Sequence, residues 1–194
     1  RLPKWSILIL SLARLGCTLM LMMQTAIRTL QIHNETDPVK FFDTLNRVLY
    51  KNIQRMDSTK NLTLMLLDYE AGQLKLSGQH EEVLVVRSHG TAEWIDTCDL
   101  GFPLALEDDI RPFIKQIQIA LNSGDVVVLY TDGITEAINA QKQQYGLERL
   151  QKVVQQYRKQ PAAEIQQAVI ADVQHYIGTQ ALRDDLTLVV LKQK

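Results

Sequence analysis

Five consecutive apolar residues, Val126–Tyr130, run directly into Thr131-Asp132-Gly133. An unbroken apolar run of strand length, with three valines, suits a β-strand buried on both faces. Such a strand must sit inside a layered structure, so the rest of the chain has to supply layers on either side. Around it, helical and strand patterns come in clusters. Residues 19–30 read as a helix, and a second helix opens with Asp37 as N-cap and Pro38 in its first turn, ending near Arg55. Strands follow at 62–69, 73–77, 83–87, 92–95 and 113–119, with turn signals at 70–72, 89–90 and 122–124. After the 125–130 strand, apolar stripes predict two helices, one over 147–157 and one opened by Pro161, and then a last strand over 186–191. Helices grouped with helices and strands with strands predict an α+β fold rather than alternating βαβ units.

Length and charge narrow the function. The 194 residues fit one domain with a core of its own. Net charge is −1, which argues against a nucleic-acid module held by a basic field. Two cysteines, Cys17 and Cys98, exclude a disulfide scaffold and a thiolate zinc site. The charge is uneven, because the first 34 residues carry four bases and no acid. A basic start followed by the apolar stretch 7–23 invites reading as a signal peptide or a membrane anchor. Arg14 interrupts that stretch, and the stretch is shorter than the roughly 20 residues needed to span a bilayer. Membrane insertion is therefore not expected, and a buried or disordered segment is preferred.

Two acid positions could carry chemistry. Asp132 stands at the mouth of the buried strand, where a carboxylate is held rigidly and still reaches solvent. The alternative is an ordinary Asp-Gly turn. Asp184 and Asp185 precede the last strand, and adjacent carboxylates repel unless a cation neutralises them. The alternative there is a solvated loop beside Arg183. Paired strand-end acids suit an oxygen-rich Mg²⁺ or Mn²⁺ site better than zinc. His80 lies at a strand end, where it could orient a phosphate or sit in a turn; His33, His89 and His175 share no metal-ligand spacing with it. No P-loop, G-x-G-x-x-G, G-x-S-x-G or H-E-x-x-H is present.

Taken in order, these residues resemble a known family. Residues 124–139, G-D-V-V-V-L-Y-T-D-G-I-T-E-A-I-N, are similar to the signature of metal-dependent PPM-type serine/threonine protein phosphatases of the bacterial SpoIIE/RsbU branch. Tyr145-Gly146-Leu147-Glu148-Arg149-Leu150 resembles that branch's F/Y-G-x-x-R-L, and residues 184–188 its closing D-D-x-T-L. Leu45-Asn46-Arg47 and Gly78-Gln79-His80 resemble its L-N-R and A-G-H, and Lys60-Asn61-Leu62-Thr63 resembles cyanobacterial members. The resemblance implies a sandwich of two antiparallel sheets flanked by helices, with a binuclear Mn²⁺ or Mg²⁺ centre. It implies Asp132 and Asp184 as metal ligands, Asp185 supporting Asp184, Thr131 and Gly133 shaping the loop, and His80 on the phosphate side. A metal-activated water, with no side-chain nucleophile, would attack phosphoserine or phosphothreonine. The implied partner is a phosphorylated STAS-type anti-sigma-factor antagonist in the cytoplasm, with no nucleic acid; a homodimer is a further expectation.

One departure limits the expected activity. Two carboxylate positions of the family fall at or before residues 7–16, where this chain has no acid, and one of them bridges the two metals. Residues 1–18 are accordingly expected to be an atypical apolar and basic segment. Residues 19–194 would be a phosphatase domain incomplete or altered at its N-terminus and missing its first strands. Low or absent turnover follows as an expectation, with a phosphoprotein-binding pseudophosphatase as the alternative.

Overall fold

The structure, a computed structural model, describes residues 5–11, 17–180 and 186–194. The chain forms two compact units, one of residues 1–80 and 97–119, the other of residues 81–96 and 120–194. Each holds one antiparallel sheet of four strands together with helices, the expected α+β class.

The first unit contains β1 (Trp5–Ser11), α1 (Cys17–Ile32), α2 (Pro38–Arg55), β2 (Thr63–Glu70), β3 (Gln73–Ser77) and β6 (Gln116–Ala120), with sheet order β1-β2-β3-β6. Part of the segment expected to be atypical or disordered is regular structure. Residues 5–11 are a strand, paired antiparallel with β2 from Trp5↔Tyr69 to Ser11↔Thr63. No helix among the described residues is long and apolar enough to cross a membrane. β2 and β3 join through Ala71 and Gly72, both at positive φ (52° and 81°), the conformation a two-residue hairpin needs to match strand twist.

The Asp37 signal works as expected. Its Oδ1 accepts hydrogen bonds from the N–H groups of Val39 (2.9 Å) and Lys40 (3.4 Å), and Pro38 opens the helix. α2 buries Phe41, Phe42, Leu45, Leu49 and Ile53, which pack with Leu19, Met23 and Ile27 of α1 and Leu64 and Leu66 of β2. Asn46 is the polar residue on that buried face. Its Nδ2 donates to the carbonyls of Glu107 (2.8 Å) and Asp108 (3.0 Å), and its Oδ1 accepts from Ala105 N–H (2.8 Å). The L-N-R motif is thus a tie between α2 and the 105–108 loop, with both the nitrogen and the oxygen of a buried amide engaged. The strand expected from Phe113 starts later, at Gln116. Arg111–Phe113 is instead a single 3₁₀ turn around Pro112, and Phe113 stacks on Phe102 with ring centroids 4.7 Å apart.

The second unit contains β4 (Val83–Val86), β5 (Ala92–Ile95), β7 (Val126–Tyr130), α3 (Asp132–Thr135), α4 (Leu147–Tyr157), α5 (Ala162–Ile177) and β8 (Leu188–Lys192), in sheet order β5-β4-β7-β8. β4 and β7 are central, and every residue of both is buried, as the unbroken apolar run predicts. Their core is shared with Leu150 and Val154 of α4 and Ile165, Val169 and Val173 of α5.

Candidate functional site

β7 is fixed at both ends. At its start, the Asp125 side chain is 1% exposed and accepts from Ser88 N–H (2.8 Å), Asn122 N–H (3.0 Å) and Arg87 Nη1 (3.0 Å). Arg87 also grips Glu93 on β5 through two bonds of 3.0 and 2.9 Å and donates to the Ala120 carbonyl. Burial alone would raise the Asp125 carboxyl, but the two backbone donors and the Arg87 guanidinium outweigh it and hold it below its ordinary value. At its end, Thr131 N–H donates to the Thr187 carbonyl (3.2 Å), and Thr187 N–H donates to Thr131 Oγ1 (3.1 Å). This latch carries the β7–β8 pairing one residue beyond Tyr130↔Leu188.

Asp132 follows the latch as the first residue of α3, half-buried, with Oδ1 accepting from Gly133 N–H (2.9 Å). The Asp-Gly turn of the sequence is therefore a short helical turn, closed by Glu136 N–H on the Asp132 carbonyl (2.8 Å). Thr131 and Gly133 are both buried. The expectations for Asp184 and Asp185 fall outside the described residues; Thr187, two positions past Asp185, is the described residue that meets Thr131.

His80 belongs to the first unit. It is 8% exposed, and its main chain is clamped to Thr97: His80 N–H donates to Thr97 Oγ1 (3.0 Å), and that hydroxyl donates to the His80 carbonyl. The Tyr145-Gly146 motif is structural in the same sense. Arg149 makes a two-pronged ion pair with Asp172 (2.7 and 2.9 Å), Tyr145 Oη donates to Asp172 (2.8 Å), and the guanidinium lies 4.6 Å from the centre of the Tyr176 ring. Together they pin the segment before α4 to α5.

The second unit also holds a cavity of about 490 Å³ that no sequence pattern signals, whose walls include Tyr130, Glu81, Glu82, Glu136 and Glu148. Burial pushes the Glu81 carboxyl above its ordinary value, and the charges of Asp132, Glu136 and Glu82 push it the same way. Burial, with Glu81 and Glu82 nearby, raises the Tyr130 phenol as well. The acids in the wall come from three separate places in the sequence, so only the fold reveals them as neighbours.

Oxygen donors of this kind select hard divalent cations over zinc. Among the described residues, however, no group of three His, Cys, Asp or Glu side chains could hold a metal ion. Asp132 fits a metal-ligand role in position and donor type, but the described residues by themselves do not complete a centre.

The profile of the Stage II sporulation protein E (SpoIIE) family matches residues 16–194. The phosphoserine phosphatase RsbU of Bacillus subtilis (strain 168) is 27% identical over 161 residues, 81% of this chain. This chain spans only 45% of that protein's length. Among solved structures, the SiaA-PP2C domain of Pseudomonas aeruginosa superposes with a TM-score of 0.79 at 15% identity, covering 98% of this chain and 80% of the other. The RsbU and RsbW domains of Rv1364c from Mycobacterium tuberculosis superpose with a TM-score of 0.74 at 16% identity, covering 98% and 52%. At these identities the two structures speak for the fold.

Proposed function

We propose that this chain, which belongs to the SpoIIE family, acts as a metal-dependent serine/threonine protein phosphatase domain in bacterial signalling. The observation that carries the reading is the Thr131–Thr187 latch. It fixes the mouth of a fully buried strand where Asp132 emerges, and it ties that mouth to the chain two residues after the Asp184-Asp185 pair. Asp132 and Asp184 are assigned to Mn²⁺ or Mg²⁺, with Asp185 supporting Asp184. When bound, such an ion supplies an acidified water and neutralises phosphate charge. The chain's own share is orientation: Gly133 N–H fixes Asp132 Oδ1, and Thr131 fixes the loop. His80, with its main chain locked to Thr97, is assigned to holding the segment that leads into Glu81.

The substrate we assign is a phosphoserine or phosphothreonine of a cytoplasmic STAS-type anti-sigma-factor antagonist. Similarity to RsbU, and to a protein that carries RsbU and RsbW domains together, supports a place in partner switching. Turnover should be slow. Positions 7–16 supply no carboxylate, and no three-donor group stands among the described residues. Those same two observations favour a second reading, a phosphoprotein-binding module without turnover.

Hydrolysis of p-nitrophenyl phosphate at millimolar Mn²⁺ tests the assignment. We expect slow, Mn²⁺-dependent turnover that falls at least about 100-fold in Asp132→Ala. Turnover unaffected by that substitution would contradict the site. No turnover, with a phosphorylated antagonist still bound, would select the second reading.

A further inference from the structure

The cavity of the second unit is unusual in what lines it. Glu81, Glu82, Glu136 and Glu148 contribute to its wall, and among the described residues no Lys, Arg or His does. Tyr130 also lines it. That side chain is 1% exposed, and its Oη has no hydrogen-bond partner among the described residues. A buried hydroxyl is ordinarily paired, and leaving it unpaired is costly. We infer that this cavity receives an arginine side chain from a protein partner.

The chemistry selects the occupant. Ionised carboxylates only accept hydrogen bonds, so the guest must be rich in donors and positively charged. A bare metal ion is a poor match, because no three carboxylates among the described residues are grouped closely enough to hold one. A guanidinium spreads five N–H donors over a plane and can serve several separated acceptors at once, whereas an ammonium concentrates its charge at one point. The phenol oxygen accepts one of those donors and so acquires its missing partner. Leu147 gives the cavity an apolar wall for the methylene stem of the arginine. A volume of about 490 Å³ leaves room for the residues on either side of that arginine.

That the arginine belongs to the phosphoprotein substrate rests on the phosphatase reading. The selectivity of the cavity for a guanidinium does not, so it can be tested without metal or turnover. The experiment titrates acetyl-Gly-Arg-Gly-amide into the full chain in EDTA, followed by amide chemical shifts. The citrulline peptide, equal in shape and neutral, is titrated in parallel. The arginine peptide should shift the amides of Thr135, Gly146 and Glu148 and bind at least about tenfold more tightly than the citrulline peptide. Tyr130→Phe should weaken it about three- to tenfold. Glu148→Gln, at an exposed position, should weaken it while the spectrum stays native, which keeps the test decisive if the Tyr130 variant fails to fold.

Equal affinity for the two peptides would overturn the inference, as would no shift at millimolar arginine peptide. So would Mn²⁺ alone shifting the same amides and excluding the arginine peptide. A failure of the phosphatase reading would show instead as absent p-nitrophenyl phosphate turnover, with the peptide titration unchanged.

Discussion

Asp125→Ala is expected to cost about 3–4 kcal/mol of stability, because it strips a buried carboxylate from three donors at once. The N–H groups of Ser88 and Asn122 lose their acceptor at the entrance to β7, and Arg87 keeps only Glu93 and the Ala120 carbonyl. β7 is one of the two central strands of its sheet, so the loss falls on the core and not on a fraying edge. The same carboxylate gives the second unit an acid-sensitive element. Its folded pKa is depressed, so its contribution is complete above the ordinary aspartate value near 4 and disappears as pH falls through the lower folded value. Glu93, paired with Arg87, and Asp172, paired with Arg149, are depressed as well and act in the same window. Urea midpoints measured from pH 7 to pH 3 should therefore fall steeply below about pH 4, and Asp125→Asn should flatten that fall. A midpoint of Asp125→Ala within error of wild type at pH 7 would contradict the role given to this residue.

Gly78→Ala should be more damaging still, at about 4 kcal/mol or above, within the range reserved for changes that a packed backbone cannot absorb. Gly78 has φ +88°, a conformation that side-chain-bearing residues rarely adopt. A Cβ there would lie 2.3 Å from the Leu64 carbonyl oxygen and 2.3 Å from Cζ of Phe42. Phe42 is 1% exposed in the core between α2 and β2, so its ring has no free volume to move into. Gly101 closes on Gly78 from another side, with a Cβ at Gly101 meeting the Gly78 Cα at 2.6 Å. The A-G-H-like motif is thus a close crossing of backbones that only glycine permits. A Gly78→Ala protein with a native denaturation midpoint would show that this crossing can relax.

How much of this was legible beforehand depended on the range of the interaction. The buried β7, the Asp37-Pro38 helix start and the clustering of helices and strands are local signals, and they survive in the structure. β1 carries no such signal, because Ile7-Leu8-Ile9-Leu10 is a short continuous apolar run with no period to separate a strand from an anchor. Pairing with β2, more than 50 residues away, decides it. The strand begins at Gln116, three residues later than the 113–119 alternation predicts, because that alternation hides the turn that Pro112 imposes. The site divides in the same way. Asp132 was marked by its place after a buried strand, whereas Asp125, Asn46 and Arg149 read as motif letters until their distant partners Arg87, Glu107 and Asp172 were seen. The acidic cavity left no trace in the sequence, because its walls come together only through the fold.

The proposed ligands Asp132 and Asp184 offer a divalent ion few carboxylates, so binding should be weak. Calorimetric titration of Mn²⁺ into the wild-type chain and into Asp132→Asn tests it most directly. Binding is expected with a Kd on the order of 1 mM, lost in Asp132→Asn while the fold persists. Micromolar binding of two ions that Asp132→Asn leaves unchanged would contradict it.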